Sequence, residues 1–489
     1  MAVDLREAQQ SMRTGRADRA VQQLESLTLA APGDAHVWQL LGFAYREEQR
    51  MSEAARAFRR AAELDAHDAK SALGVAQSSF ESGLPATELF RTALNLEPGN
   101  PAAIGGLANA LAAEGQPAAA QETLVNVLNG HTDWLEGQRH LAALRWIDGD
   151  TQHFARGYED ACRLQPKNLA LRLAWFGAVA QTRNWDAAAI ILDEGEKTMG
   201  AAQAFTIARL FIASESGDRV RADELFAATS SIRDDVRDIA YIRHCLRKGD
   251  PGKAEGVALR MVGTASARII WPYLSLIWRL LGDARAQWLD GAPPYIRAID
   301  LDFAAGELDE LAIFLRKLHT ARAPYLEQSV RGGTQTDQQL FFRHEPIIQN
   351  LKAKLRSAIR EYVKQLPEFV SGHPLLGTLR AQILFSGSWS VRLESQGFHV
   401  SHTHPRGWIS SAFYVSLPSS EQWGTQSAGW INFGLPPREL AVDLPAYLQI
   451  EPKPGRLVLF PSTMWHSTTP FDDGERLTVA FDVAIKQHH

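Results

Sequence analysis

The chain has 489 residues, 45% of them hydrophobic and 22% charged, with a formal net charge of −5. That length exceeds what one core supports, so two or three domains are expected, and the lack of a basic block excludes a nucleic-acid or anionic-membrane surface as the basis of function. Its two cysteines, Cys162 and Cys245, cannot form a disulfide framework or a zinc ribbon, which points to a reducing, cytoplasmic setting.

In chain order, Met1 to Arg6 is polar and lacks the apolar core of a signal peptide. A turn marker then recurs at Pro32-Gly33-Asp34, His67-Asp68, Pro98-Gly99-Asn100 and, after a double step, Pro166-Lys167-Asn168. The spacing is about 32–34 residues, the period of a helix-pair repeat of the tetratricopeptide kind. The spacing of apolar residues predicts helices over Val37–Tyr45, Ala54–Leu64, Ala72–Phe80, Ala86–Leu96 and Ala102–Ala113. Small residues such as Gly42, Ala55, Ala57 and Ala108 fall where paired helices would touch. Such units stack into a solenoid with a concave groove. Residues 1–200 are therefore read as repeats, and 201–291 as degenerate repeats or capping helices, including Gly252–Ala258. The apolar stretch Ile269–Leu281 contains Arg279 and is too short for a bilayer core of ~30 Å.

Residues 292–489 change character. Glu307–His319 and Pro346–Leu366 read as helices. Strands are expected at Leu379–Phe385, Ser388–Glu394, Trp408–Leu417, Gly429–Phe433, Tyr447–Ile450, Arg456–Phe460 and Arg476–Ile485, punctuated by Pro and Gly. Helices that precede strands without alternating with them give an α+β, multidomain class: a helical-repeat solenoid followed by a double-stranded β-helix (jelly-roll) domain with flanking helices. Arg331-Gly332-Gly333-Thr334-Gln335-Thr336 reads as a Gly-rich loop, without the Lys-Ser/Thr of a phosphate-binding loop.

Chemistry concentrates late in the chain. His402 and His404 are two apart, so an extended backbone presents both on one face. His466 lies beyond the strand Arg456–Phe460, where a closed sheet can return it beside them. Three such ligands leave positions for a cosubstrate and O₂, as an Fe(II) oxygenase requires. Arg476 and Thr478 share a face of the last strand, and a guanidinium fork plus a hydroxyl clamps a carboxylate. Arg476 would then hold the distal carboxylate of 2-oxoglutarate. Ser390 and Arg392 share a face of a strand leading toward His402 and are candidates to contact cosubstrate or substrate. The odd offset of His399 from His402 aims it at the other face.

The segments Trp389-Ser390-Val391-Arg392-Leu393, His402-Thr403-His404-Pro405, Gly407-Trp408-Ile409-Ser410-Ser411, Pro454 to Ser462 and Arg476-Leu477-Thr478-Val479-Ala480-Phe481 resemble 2-oxoglutarate- and Fe(II)-dependent oxygenases. They resemble above all a bacterial branch often fused to tetratricopeptide repeats, and are similar to the aspartyl/asparaginyl β-hydroxylases. The resemblance implies Fe(II) and 2-oxoglutarate as cofactors, and hydroxylation of a peptide or protein side chain held by the repeat groove. It leaves a homodimer open. One position departs from the superfamily's usual His-x-Asp/Glu element, since His404 stands third. His404 is then a neutral third ligand, or lies behind the metal, or marks a site that has lost metal. Two alternatives follow: a three-histidine iron thiol dioxygenase, and a non-catalytic repeat scaffold with a degenerate barrel.

Overall fold

The computed structural model of the protein describes residues 4–291, 295–326, 328–378, 380 and 383–485. From Leu5 to Asp290 it is helical, each helix packing on the next. The turn markers have a direct physical role as N-caps. Asp34 accepts from the N–H groups of His36 and Val37, Asp68 from Lys70 and Ser71, Asn100 from Ala102 and Ala103, and Asn168 from Leu171. Each cap satisfies otherwise orphaned donors at a helix start and stabilises it by about 1 kcal/mol. The double step also has an explanation. A helix does begin at Leu135, but its N-cap is Trp134, which makes no side-chain cap.

The small residues mark close approaches. The Phe58 ring lies between Gly42 and Gly74, where a Cβ would sit 2.8 and 2.6 Å from ring carbons. The helices Trp185–Met199 and Pro251–Met261 continue the array where the period blurs in sequence.

Nine strands follow among the described residues: β1 (Arg297–Asp300), β2 (Val330–Gln335), β3 (Ile383–His399), β4 (Ile409–Ser416), β5 (Ile431–Phe433), β6 (Leu448–Ile450), β7 (Arg456–Pro461), β8 (His466–Thr468) and β9 (Arg476–Ile485). They form a six-stranded sheet, order β1-β7-β4-β9-β3-β2, and a three-stranded sheet, order β6-β5-β8. Every pairing is antiparallel. The architecture is the expected α+β one, a helical array followed by a two-sheet β domain.

Three details differ from expectation. The strands foreseen at 379–385 and 388–394 are one strand, β3, which absorbs Ser386 in a register shift between Phe385 and Gly387; residues 379, 381 and 382 lie outside the described residues, as does the His488-His489 tail. The Gly-rich segment is a strand and not a loop. It pairs as β2 with β3, and a Cβ on Gly333 would meet the Arg392 carbonyl oxygen at 2.2 Å. Strands β1 and β8 are too short for period-two patterning to reveal.

The outer face of the large sheet is covered by the helices Glu307–Arg316 and Pro346–Gln365. Leu311, Leu315, Ile348, Leu351, Leu355 and Ile359 pack in one core with Leu477, Val479, Phe481 and Val483 of β9. Burying one such side chain contributes about 1.5–3 kcal/mol, so this face is committed to stability. The inner face is left for chemistry.

Turns of the helical array touch the β domain along its length. Gln49, in a left-handed conformation (φ 58°), hydrogen-bonds both to the Phe385 carbonyl (2.6 Å) and from the Phe385 N–H (3.1 Å). The Ser82 carbonyl accepts from the His344 N–H at 3.0 Å, and Arg183 pairs with Glu439 at 2.6 Å. The Trp465 indole donates to the Pro272 carbonyl (2.8 Å) and lies against Tyr273, so the aromatic helix Ala267–Leu281 docks directly beside β8.

Candidate metal centre

β8 and the segment after β3 are brought together by a reciprocal backbone pair. The His402 N–H donates to the His466 carbonyl (3.0 Å), and the His466 N–H donates back to the His402 carbonyl (3.1 Å). Their ring centroids are 4.1 Å apart. His404 is fixed one step on by its own N–H, which donates to the Ser462 carbonyl at 2.9 Å. As a result one side-chain nitrogen from each of His402, His404 and His466 lies within 4.8 Å of the other two.

The other ring nitrogens are already committed. Nδ1 of His402 contacts the Val400 carbonyl (2.8 Å), Nδ1 of His466 the Met464 carbonyl (3.0 Å), and Nδ1 of His404 the Asp482 carboxylate (2.8 Å). An acceptor at Nδ1 selects the tautomer whose Nε2 lone pair is free, the arrangement that orients metal-binding imidazoles. Asp482 is itself held by a 2.6 Å hydrogen bond from Ser410. Burial in the barrel, together with neighbouring His404, pushes the His402 pKa down to about 3. Burial and the neighbouring rings hold that of His466 well below its ordinary value. Both rings are therefore neutral, as ligands must be. Three convergent imidazoles suit a first-row metal such as iron and leave coordination positions open.

The second expected element lies on the same inner face. Thr478 pairs with Val391 and Arg476 with Leu393 across β9 and β3, and Tyr414 pairs with Thr478 across β4 and β9. Arg476 is 2% exposed, and its Nε and Nη1 have no hydrogen-bond partner among the described residues. Its guanidinium carbon lies 5.0 Å from the centre of the Tyr414 ring, and the Tyr414 hydroxyl is also buried with no hydrogen-bond partner among the described residues. A buried cation with no counter-ion costs several kcal/mol, while a carboxylate accepting from the free edge of the fork would offset that cost.

Ser390 and Arg392 do not join this site. Alternation along β3 turns Trp389, Val391 and Leu393 inward with their partners Ala480, Thr478 and Arg476, and sends the even-numbered residues outward. Ser390 bonds His319 (3.0 Å) and the Thr478 carbonyl (3.2 Å), and Arg392 pairs with Glu475. The expectation for both is corrected: they share a face, but it is the outer one. Trp389 holds the place instead, stacked on His404 at 5.7 Å and 9°.

His399 also differs from its expected outward aim. The chain leaves β3 after it, so strand parity does not carry across Val400 and Ser401, and its ring stacks on His402 at 5.8 Å. Tyr414, Trp389, His399 and Asp482 were missed in the sequence. A signal existed for Tyr414, whose parity with Ser410 and Ala412 follows once β4 is placed, and for Asp482, which shares the parity of Arg476 and Thr478 on β9. His319, His344 and His373 are structural, bonding respectively Ser390, the Ser82 carbonyl and the Trp288 carbonyl.

Residues 387–482 match a family model described as "Putative 2OG-Fe(II) oxygenase", and residues 85–144 match one for the tetratricopeptide repeat. The chain resembles repeat-linked 2OG-Fe(II) oxygenases. Among solved structures it is similar to a tetratricopeptide repeat protein from Parabacteroides merdae ATCC 43184 (14% identity, 48% of this chain and 95% of that one, TM-score 0.31). It is similar to the viral collagen prolyl hydroxylase vCPH from Paramecium Bursaria Chlorella virus-1, seen as a 2OG complex (15% identity, 39% and 95%, TM-score 0.27). It is also similar to YrrB, described as a TPR protein with an unusual peptide-binding site (15% identity, 38% and 97%, TM-score 0.26). No curated protein matches. Among the described residues no helix is long and apolar enough to cross a membrane.

Proposed function

We propose that this protein is a 2-oxoglutarate- and Fe(II)-dependent hydroxylase of a peptide or protein side chain. The observation that carries the reading is the pairing of two groups on one inner face: three histidines that could hold a metal, and a buried Arg476 with no carboxylate partner among the described residues. A cosubstrate with a chelating 2-oxo acid at one end and a carboxylate at the other completes both. When bound, iron with 2-oxoglutarate and O₂ supplies the oxidation, which hydroxylates a C–H bond and releases succinate and CO₂.

The protein's own residues do the positioning. His402, His404 and His466 would hold the metal through Nε2, and Asp482 keeps His404 in the required tautomer while placing a negative charge one bond behind the missing carboxylate ligand. Arg476 would take the distal carboxylate, with Thr478 and the Tyr414 hydroxyl beside it. Trp389 stacks over His404 and keeps water from that side. A peptide substrate is supported by the tetratricopeptide match, and by array turns that reach the β domain at Gln49, Ser82 and Arg183.

The test is optical. Adding 2-oxoglutarate to the anaerobic Fe(II)-loaded protein is expected to give a weak visible charge-transfer band that Arg476→Ala loses. Three histidine ligands also fit an iron thiol dioxygenase. That second reading prevails if iron binds, no band forms, and a thiol is oxidised without 2-oxoglutarate.

A further inference from the structure

One hydroxyl sits where the metal would bind, and the function proposed above does not use it. Ser329 Oγ lies 3.1 Å from Nε2 of His402 and 2.9 Å from Nδ1 of His399. The hydrogens can be assigned by counting. His402 donates from Nδ1 to the Val400 carbonyl, so its Nε2 is an acceptor. A serine has one hydrogen, which must therefore go to His402, and His399 must donate to Ser329. The three groups form a directed chain from His399 through Ser329 to His402.

The backbone holds this chain in place. The Ser329 carbonyl accepts from the Val400 N–H (3.0 Å), Val330 pairs with His399 in the β2–β3 ladder, and the His399 N–H donates to Thr468 Oγ1 (2.9 Å).

Once His402 gives its Nε2 lone pair to a metal, the Ser329 hydrogen loses its acceptor while the donor behind it, His399, remains. A half-buried hydroxyl fed by a donor and deprived of its acceptor turns to the nearest negative oxygen. We infer that Ser329, oriented by His399, is a positioning residue that donates to the anionic cosubstrate sharing the centre. It thereby couples cosubstrate binding to prior occupation by metal. The inference rests on the proposed function, because it needs a carboxylate beside the metal.

The experiment uses the full chain and reads binding only. Metal alone is measured with Co(II) by its visible spectrum, and 2-oxoglutarate by titrating the charge-transfer band of the anaerobic Fe(II) protein. Ser329→Ala is expected to weaken 2-oxoglutarate binding about ten- to a hundred-fold, the loss of one hydrogen bond to a charged acceptor. Co(II) should bind the variant no more weakly than wild type, because the competing hydrogen bond to His402 is gone. Ser329→Thr, which keeps the hydroxyl, should restore the cosubstrate affinity. His399→Phe should weaken 2-oxoglutarate in the same direction and by less. Equal weakening of Co(II) and 2-oxoglutarate in Ser329→Ala would overturn the inference by making Ser329 merely structural, as would unchanged 2-oxoglutarate affinity. If wild type binds Fe(II) but shows no response to 2-oxoglutarate, the functional reading falls and takes this one with it. A normal wild-type response matched by Ser329→Ala sinks the role of Ser329 alone.

Discussion

The helical array and the β domain solve the same problem with opposite means. In the array, each helix is specified by residues within a turn or two of it: Asp68 caps the helix Ala69–Glu81, and Gly42 and Gly74 make room for Phe58. In the β domain the site is assembled mainly by long-range contacts. Arg476 meets Leu393 through strand register, and His402 meets His466 through a single bridge. Local specification makes a fold tolerant and repetitive, whereas long-range specification gathers unlike groups at one point, which a reactive site needs.

That contrast can be broken or sharpened by substitution. The largest effect is expected from His466→Ala, which should abolish stoichiometric Co(II) or Fe(II) binding by equilibrium dialysis and leave the helical circular dichroism intact. Asp482→Asn should weaken metal binding about 10- to 100-fold, the usual cost of losing a carboxylate behind a ligating histidine. In the array the pattern inverts. Gly74→Ala pushes a methyl into the Phe58 ring and should cost about 1–3 kcal/mol in denaturant unfolding, with metal affinity unchanged. Asp68→Ala should cost about 1 kcal/mol by the same measurement. A loss of metal binding in either array variant would show that the two regions are not separable in this way.

Acid should act on the β domain first. The folded pKa of His402 is depressed to about 3, and His466 and His399 are depressed too, so the unfolded chain binds more protons than the native one below its ordinary histidine range. Their contribution to stability is present above about pH 6.5 and is lost as pH falls from there toward the folded values, by up to about 1.4 kcal/mol per histidine per pH unit. The metal-free protein should show a falling Tm between pH 7 and 5, and His402→Phe should flatten that slope.

The same contrast explains what could be read from the sequence. The turns of the array were legible as recurring markers, which the structure shows to be caps, because Asp34, Asp68, Asn100 and Asn168 act on neighbours two or three residues away. The histidine cluster was legible because residue types with few other uses recur together. The walls of the site were not. Ser390 and Arg392 share a face, but which face is inner depends on pairing with β9, and a shift of one residue exchanges Trp389 for Ser390. His399 lay beyond reach because parity fails where the strand ends. Asp482 is an ordinary strand residue until His404 is brought against it from 78 positions away.

The clamp between Gln49 and Phe385 bears on biosynthesis. The strands that carry the site close over large sequence separations, the slowest kind of pairing to find. Synthesis proceeds from the N-terminus, and domains tend to fold in the order they emerge. Because each helix packs on the next, the array can form before β1 leaves the ribosome. An array folded first would present Gln49, whose side-chain amide bonds both the N–H and the carbonyl of Phe385, as a tethered contact against which β3 can set its register.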